Sequence, residues 1–248
     1  MHTSNRIRAV MCVALLVVVA AYFLALVPAH LSAQTSEMGV DLIWDAATYT
    51  PVTYAGKALP TAGARVQFQA VPYRTGSGSV VDPGSLTFTW SVDGRRVVWG
   101  VGEDMFTFSG GSTRSHTVSV SVNRGDATAS FDLSPRSPEV VLYEESPLYG
   151  TRFSSVLNGT FSLEGQEKTF NAVPFHFTVP NSASPELLYR WSINGEPVER
   201  SRFGPESAFL TVRQIEQNNG VSRVSVLVEK LNSLYQSAST QLSVRYGR

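Results

Sequence analysis

The chain is poor in cysteine, in histidine, and in charge of either sign. Its single cysteine is Cys12. It lies in an apolar N-terminal stretch, so the rest of the chain can form neither a disulfide nor a cysteine-based metal site. Lys and Arg total 20, Asp and Glu total 20, and the formal net charge is zero. A product starting near Gln34 would lose Arg6 and Arg8 and carry a charge of about −2. Neither value suits a partner held through phosphate contacts or a polybasic membrane patch, which excludes nucleic acid. Only four histidines occur. His2 and His30 fall in the N-terminal segment, and His116 and His176 are far apart with no ligand-type spacing. Both read as strand-edge or solvated side chains. H-E-x-x-H, G-x-S-x-G, P-loop and dinucleotide patterns are absent. Glu144-Glu145 and Glu103-Asp104 are neighbours on extended chain, so each pair points to opposite faces and does not make a catalytic dyad. The sequence therefore predicts no catalytic residue, no metal ligand, no cofactor and no enzyme activity. Outside residues 9–27 no segment shows helical periodicity.

What is present is a phrase written twice. "LTFTWSVDG" (Leu86–Gly94) returns as "LLYRWSING" (Leu187–Gly195). Leu86, Phe88, Trp90 and Val92 share one face of a strand, as do Leu187, Tyr189, Trp191 and Ile193. Period-two alternation marks a strand with one buried face. Asp93-Gly94 and Asn194-Gly195 then supply turns that tolerate positive φ. Trp90, Trp191, Phe88 and Tyr189 are the expected structural core. "AVPY" (Ala70–Tyr73) recurs as "AVPF" (Ala172–Phe175), and "VSVSV" (Val118–Val122) as "VSVLV" (Val224–Val228). The openings "DLIWDA" (Asp41–Ala46) and "VVLYEE" (Val140–Glu145) also correspond. A spacing near 100 residues is the length of one β-sandwich and too long for a solenoid repeat.

The N-terminus carries Arg6 and Arg8, an apolar run over 9–27, then Pro28 and "AHLSAQ". This is the pattern of an export signal. A run of this length also suffices to span a bilayer. Cleavage after Ala33 and retention as an anchor both stay open. The basic residues place the rest of the chain outside the cytoplasm in either case. The membrane is touched only through residues 9–27, and only if they are retained. The organisation expected is a leader or anchor over 1–33, a tether over 34–39, a sandwich over 40–134, a linker over 135–138 and a second sandwich over 139–248. Pro135 and Pro138 should make the linker short and stiff, with the modules set end to end. Strands are expected at Leu42–Trp44, Arg65–Val71, Leu86–Val92, Met105–Phe108, His116–Val122 and Thr128–Leu133 in the first module. The fold class is all-β, two tandem immunoglobulin-like sandwiches after an N-terminal signal or anchor helix.

The buried Trp in "W-S-[V/I]-[D/N]-G", the strand count and the repeat length resemble immunoglobulin-like and PKD-like extracellular domains of prokaryotic surface proteins. The chain departs from the PKD pattern after Trp90, where "SVDG" replaces a Phe-Gly-Asp element. The opening "DLIWDAATYTPVTYAGKALP" and "LYEESPLYG" are similar to two-domain exported proteins of uncultured, small-genome bacteria of the candidate-phyla type. That likeness implies a cell-envelope location and nothing about catalysis.

Where copies of a module differ, function is sought. The brief "NRGDA" between the last two strands of module one, whose Asn, Gly and Asp suit a tight turn, becomes "EKLNSLYQSAS" (Glu229–Ser239) in module two. Leu231, Leu234 and Tyr235 either cap the core or form a partner-facing patch. Trp99 poses the same choice between core edge and exposed ring. The function expected is a non-enzymatic envelope protein that presents sandwich loops to an envelope or appendage protein. A carbohydrate-binding module is the alternative, and it requires Trp99, Tyr54 and Tyr149 to line one face.

Overall fold

A computed structural model describes residues 37–110, 113–198, 207–214 and 220–246. The leader, and with it the expected helix over 9–27, lies outside the described residues. The chain is all-β and forms two tandem immunoglobulin-like sandwiches.

The first sandwich comprises β1 (Met38–Ala46), β2 (Arg65–Arg74), β3 (Thr87–Val92), β4 (Arg95–Val101), β5 (Met105–Ser109), β6 (His116–Val122) and β7 (Ala127–Leu133). One sheet has the order β1-β2-β5 and the other β4-β3-β6-β7, with antiparallel neighbours throughout. Alternation places Val66, Phe68 and Ala70 of one sheet against Phe88, Trp90, Val118, Val120 and Val122 of the other, all buried. Phe106 stacks on Trp90 with ring centroids 5.6 Å apart.

The second sandwich comprises β8 (Glu139–Ser146), β9 (Gly150–Leu157), β10 (Thr160–Ser162), β11 (Glu167–Phe175), β12 (Leu187–Ile193), β13 (Glu196–Pro197), β14 (Phe209–Arg213), β15 (Gly220–Lys230) and β16 (Ser237–Tyr246). Its sheets run β14-β11-β8-β9 and β10-β16-β15-β12-β13. The core again centres on a tryptophan: Trp191, with Tyr189, Phe170, Phe177, Val224, Val226 and Val228.

The duplication extends to single hydrogen bonds. Trp90 Nε1 donates to the Glu103 carbonyl at 2.8 Å, and Trp191 Nε1 to the Ser207 carbonyl at 3.0 Å. Each acceptor lies just before the next strand, β5 or β14. A buried indole N–H needs such a partner. The turns match too. Asp93 and Gly94 have φ of 50° and 77°, Asn194 and Gly195 52° and 88°. Both side chains close the hairpin on the neighbouring strand: Asp93 Oδ1 accepts from Thr117 N and Asn194 Oδ1 from Arg223 N.

Two expectations need correction. β4 is a strand that the expected set lacks, because Arg95, Arg96 and Gly100 break its alternation and a bulge opposite Trp90/Ser91 slips its register. The openings align one residue differently from the pairing of "DLIWDA" with "VVLYEE". Leu42 pairs with Ala70 and Leu142 with Ala172, so Leu142, not Val141, is the counterpart of Leu42.

Candidate interaction surface

Residues 47–64 join β1 to β2 and form a strap that reaches the second sandwich. Tyr49 is held between two backbone bonds: its N–H donates to the Phe177 carbonyl, and its carbonyl accepts from His176 N–H, both at 2.7 Å. Tyr54 packs edge-on against Phe175 with centroids 5.4 Å apart. Thr61 forms a parallel bridge with Arg136, whose N–H donates to the Pro60 carbonyl at 2.8 Å. The strap thus holds the segment that joins the two sandwiches at Arg136.

His176 is 4% exposed, which corrects the expectation of a strand-edge or solvated side chain. Its φ is +63°, and the Leu59 N–H donates to its Nδ1 at 3.1 Å. Nδ1 must therefore be unprotonated. Burial lowers the pKa of the ring below the ordinary 6.5, and the nearby Glu139 carboxylate opposes this in part. His116 heads β6, is half-buried, and donates through Nδ1 to Asp93 Oδ2 at 2.8 Å. The bond to His116 comes first among the causes that hold the Asp93 carboxyl below its usual range.

The enlarged loop joining β15 to β16 stands at this same junction. Gln236 is 2% exposed. Its Nε2 donates to the Ala62 carbonyl of the strap at 2.8 Å, and its Oε1 accepts from Thr178 N and Thr178 Oγ1 at 2.9 and 3.0 Å. Lys230 Nζ donates to Thr178 Oγ1 at 2.9 Å and pairs with Glu186 at 3.3 Å. Leu231 N–H donates to the Glu186 carbonyl, and Lys230 N–H to the Gln236 carbonyl. The base of the loop is therefore pinned on both sides. Its apolar side chains point away from the core: Leu231 is 45% exposed, Leu234 93% and Tyr235 55%.

Trp99 is 61% exposed on the outward side of β4, with the Arg96 guanidinium 4.5 Å from its ring centroid. The row of rings required for the carbohydrate alternative is not formed. Trp99 belongs to β4 of the first sandwich, Tyr54 lies in the strap against Phe175, and Tyr149 sits in the turn between β8 and β9. Leu148 in that turn is 76% exposed and had no signal in the sequence beyond its being apolar. The "NRGD" segment is a hairpin turn, with φ of 46°, 61° and 118° at Asn123, Arg124 and Gly125. Glu144 is bonded to Lys168 and Arg152, whereas Glu145 accepts from Thr151 Oγ1, so the two carboxylates are used separately.

This strand order, with sheets of A-B-E and C′-C-F-G type and a buried tryptophan in each C strand, defines an immunoglobulin-like tandem β-sandwich protein. No protein-family model matches the chain, and no curated protein matches it. Among solved structures it is similar to three N-terminal domains of the Highly Immunogenic Outer Capsid protein of bacteriophage RB49. That match has 16% identity over 84% of this chain and 59% of the other, with a TM-score of 0.38. It is also similar to the fibronectin(III)-like modules of Clostridium thermocellum CbhA, at 8% identity over 83% of this chain and 94% of the other, TM-score 0.26. The Ig1-2 module of the Drosophila receptor protein tyrosine phosphatase DLAR matches at 11% identity over 85% of this chain and all of the other, TM-score 0.26.

Proposed function

We propose that the protein is a non-enzymatic cell-envelope module, exported by its N-terminal segment, that binds an envelope or appendage protein through the tip of the β15–β16 hairpin. One observation carries this reading: Leu231, Leu234 and Tyr235 are exposed on a loop whose base is locked by Gln236 and Lys230. An apolar tip that capped the core would be buried; a floppy one would lose much of its binding energy to ordering. Here the ordering is done within the fold, and a leucine–tyrosine tip supplies the apolar anchor that dominates many interfaces. The duplicated scaffold supports the same reading, since the first sandwich has only a tight turn at the matching place.

Lys230 is engaged with Thr178 and Glu186 and is a poor site for amine cross-linking. The test is a photo-cross-linking residue at Leu234, compared with one at exposed Val221, in intact cells of the native host. A single defined envelope protein joined at 234 and not at 221 is expected, and Leu234→Ser with Tyr235→Ser should weaken that complex roughly tenfold or more. The same products at both positions, or none at 234, overturns the reading.

A further inference from the structure

The outward face of the β4-β3-β6-β7 sheet carries a surface distinct from the hairpin tip. Cross-strand register places Trp99, Thr89, Ser121 and Thr128 in one row across all four strands. The adjoining row holds Ser91, Ser119 and Ser130, with Arg96 opposite Ser91 on β4. None of these six hydroxyls makes a side-chain hydrogen bond to another described residue. Among the described residues, the charged side chains next to these rows are Arg96, whose guanidinium lies over the Trp99 ring, and Asp93 and Asp132 around Thr117, with Arg114 paired to Asp93.

The second sandwich is a partial control: it keeps hydroxyls at three of the six positions, as Ser192, Ser225 and Ser239, and puts Arg190, Leu227 and Gln241 at the other three. The row matching Thr89–Ser121–Thr128 is Arg190–Leu227–Ser239. Arg190 is ion-paired with Glu229, and Ser192 and Ser225 hydrogen-bond each other. A neutral hydroxyl array with an exposed indole is therefore not a requirement of the fold. It is a feature of this one face.

We propose that this face binds a neutral polysaccharide chain through one ring and a hydroxyl array, a mode that does not need the row of three rings that Trp99, Tyr54 and Tyr149 fail to form. An indole presents a flat apolar surface that suits the C–H face of a pyranose ring. Ser and Thr hydroxyls each donate one hydrogen bond and accept others, which matches the hydroxyl pattern of a sugar. Four strands span about 14 Å, enough for a few linked rings laid across the row. Lack of charge in the centre favours a neutral chain, since no ion has to be desolvated when the face is covered. Arg96 is exposed, and its contact with the ring is of the weak surface type that a sugar displaces.

The test is native gel electrophoresis of the full chain through matrices holding a soluble neutral polysaccharide: mixed-linkage β-glucan, galactomannan, arabinoxylan or dextran. Alginate and hyaluronan serve as anionic comparators. Retardation by at least one neutral polymer is expected. Trp99→Ala and Thr128→Lys should each weaken it roughly tenfold, while Leu234→Ser leaves it unchanged and so separates this face from the hairpin tip. Retardation by no neutral polymer, by the anionic polymers only, or undiminished from the parent in Trp99→Ala and Thr128→Lys overturns the proposal.

Discussion

Gln236→Ala tests how firmly the two sandwiches are joined. The side chain spans three elements: the strap through the Ala62 carbonyl, the β11–β12 loop through Thr178, and its own hairpin. Truncation removes three hydrogen bonds and leaves two backbone groups, Ala62 C=O and Thr178 N–H, without that partner. Thr178 Oγ1 keeps its bond from Lys230. Orphaning a buried polar group costs about 1–3 kcal/mol. Two such groups bring the total to about 2–6 kcal/mol, at the lower end if water enters the vacated space. Of the three bonds, the one to Ala62 joins the sandwiches and the two to Thr178 lie in the loops of the second, outside its core, so truncation loosens the joint and the neighbouring end of the second sandwich. Calorimetry should therefore show a single cooperative transition in the parent splitting into two in the variant, with the core of each sandwich intact. Gln236→Glu should cost at least as much at neutral pH, because it removes the donor to Ala62 and buries a charge. A variant that loses less than about 0.5 kcal/mol and keeps one transition would refute the reasoning, and would mean that the strap's backbone bonds couple the sandwiches unaided.

The buried His176 gives a pH dependence of known sign. Its folded pKa lies below the ordinary value, so the unfolded chain binds a proton first as pH falls. Stability should be constant near neutrality, decline from about pH 6.5 and level off below the folded pKa, and His176→Phe should flatten that slope in urea titrations run at several pH values. Trp90→Ala and Trp191→Ala remove core indoles, the first of them fully buried, and their bonds to Glu103 and Ser207. Each should cost about 3–5 kcal/mol, measured by denaturant unfolding, and each should act on its own sandwich first.

The parts of this fold that are legible in the sequence are those set by local pattern. Period-two alternation around Trp90 and Trp191, with Asp-Gly and Asn-Gly after them, specifies strand, face and turn at once, and the repeat at about 100 residues specifies two copies. β4 escapes detection because a bulge and two arginines erase the alternation that identifies a strand. The junction is out of reach for a different reason. Gln236 meets Ala62 across 174 residues of chain, and Leu59 meets His176 across 117. No local pattern marks such pairs, and the strap itself reads as an ordinary loop rich in Pro, Gly and Ala. For the hairpin tip, composition identifies Leu231, Leu234 and Tyr235, but only the pinning by Gln236 and Lys230 determines which way they point.

The strap also determines how the molecule carries load. Covalently, the chain passes from one sandwich to the other once, at Ser134–Pro138. The bonds flanking Tyr49 and the bond from Gln236 to Ala62 make a second, parallel connection that bypasses the linker. Tension applied between the N-terminal end and a partner held at the hairpin tip would run through Gln236 directly into the strap, and from there into β1 and β2. The second core would be spared that pull, and the weakest mechanical element would be the joint, which can part and re-form without either sandwich unfolding.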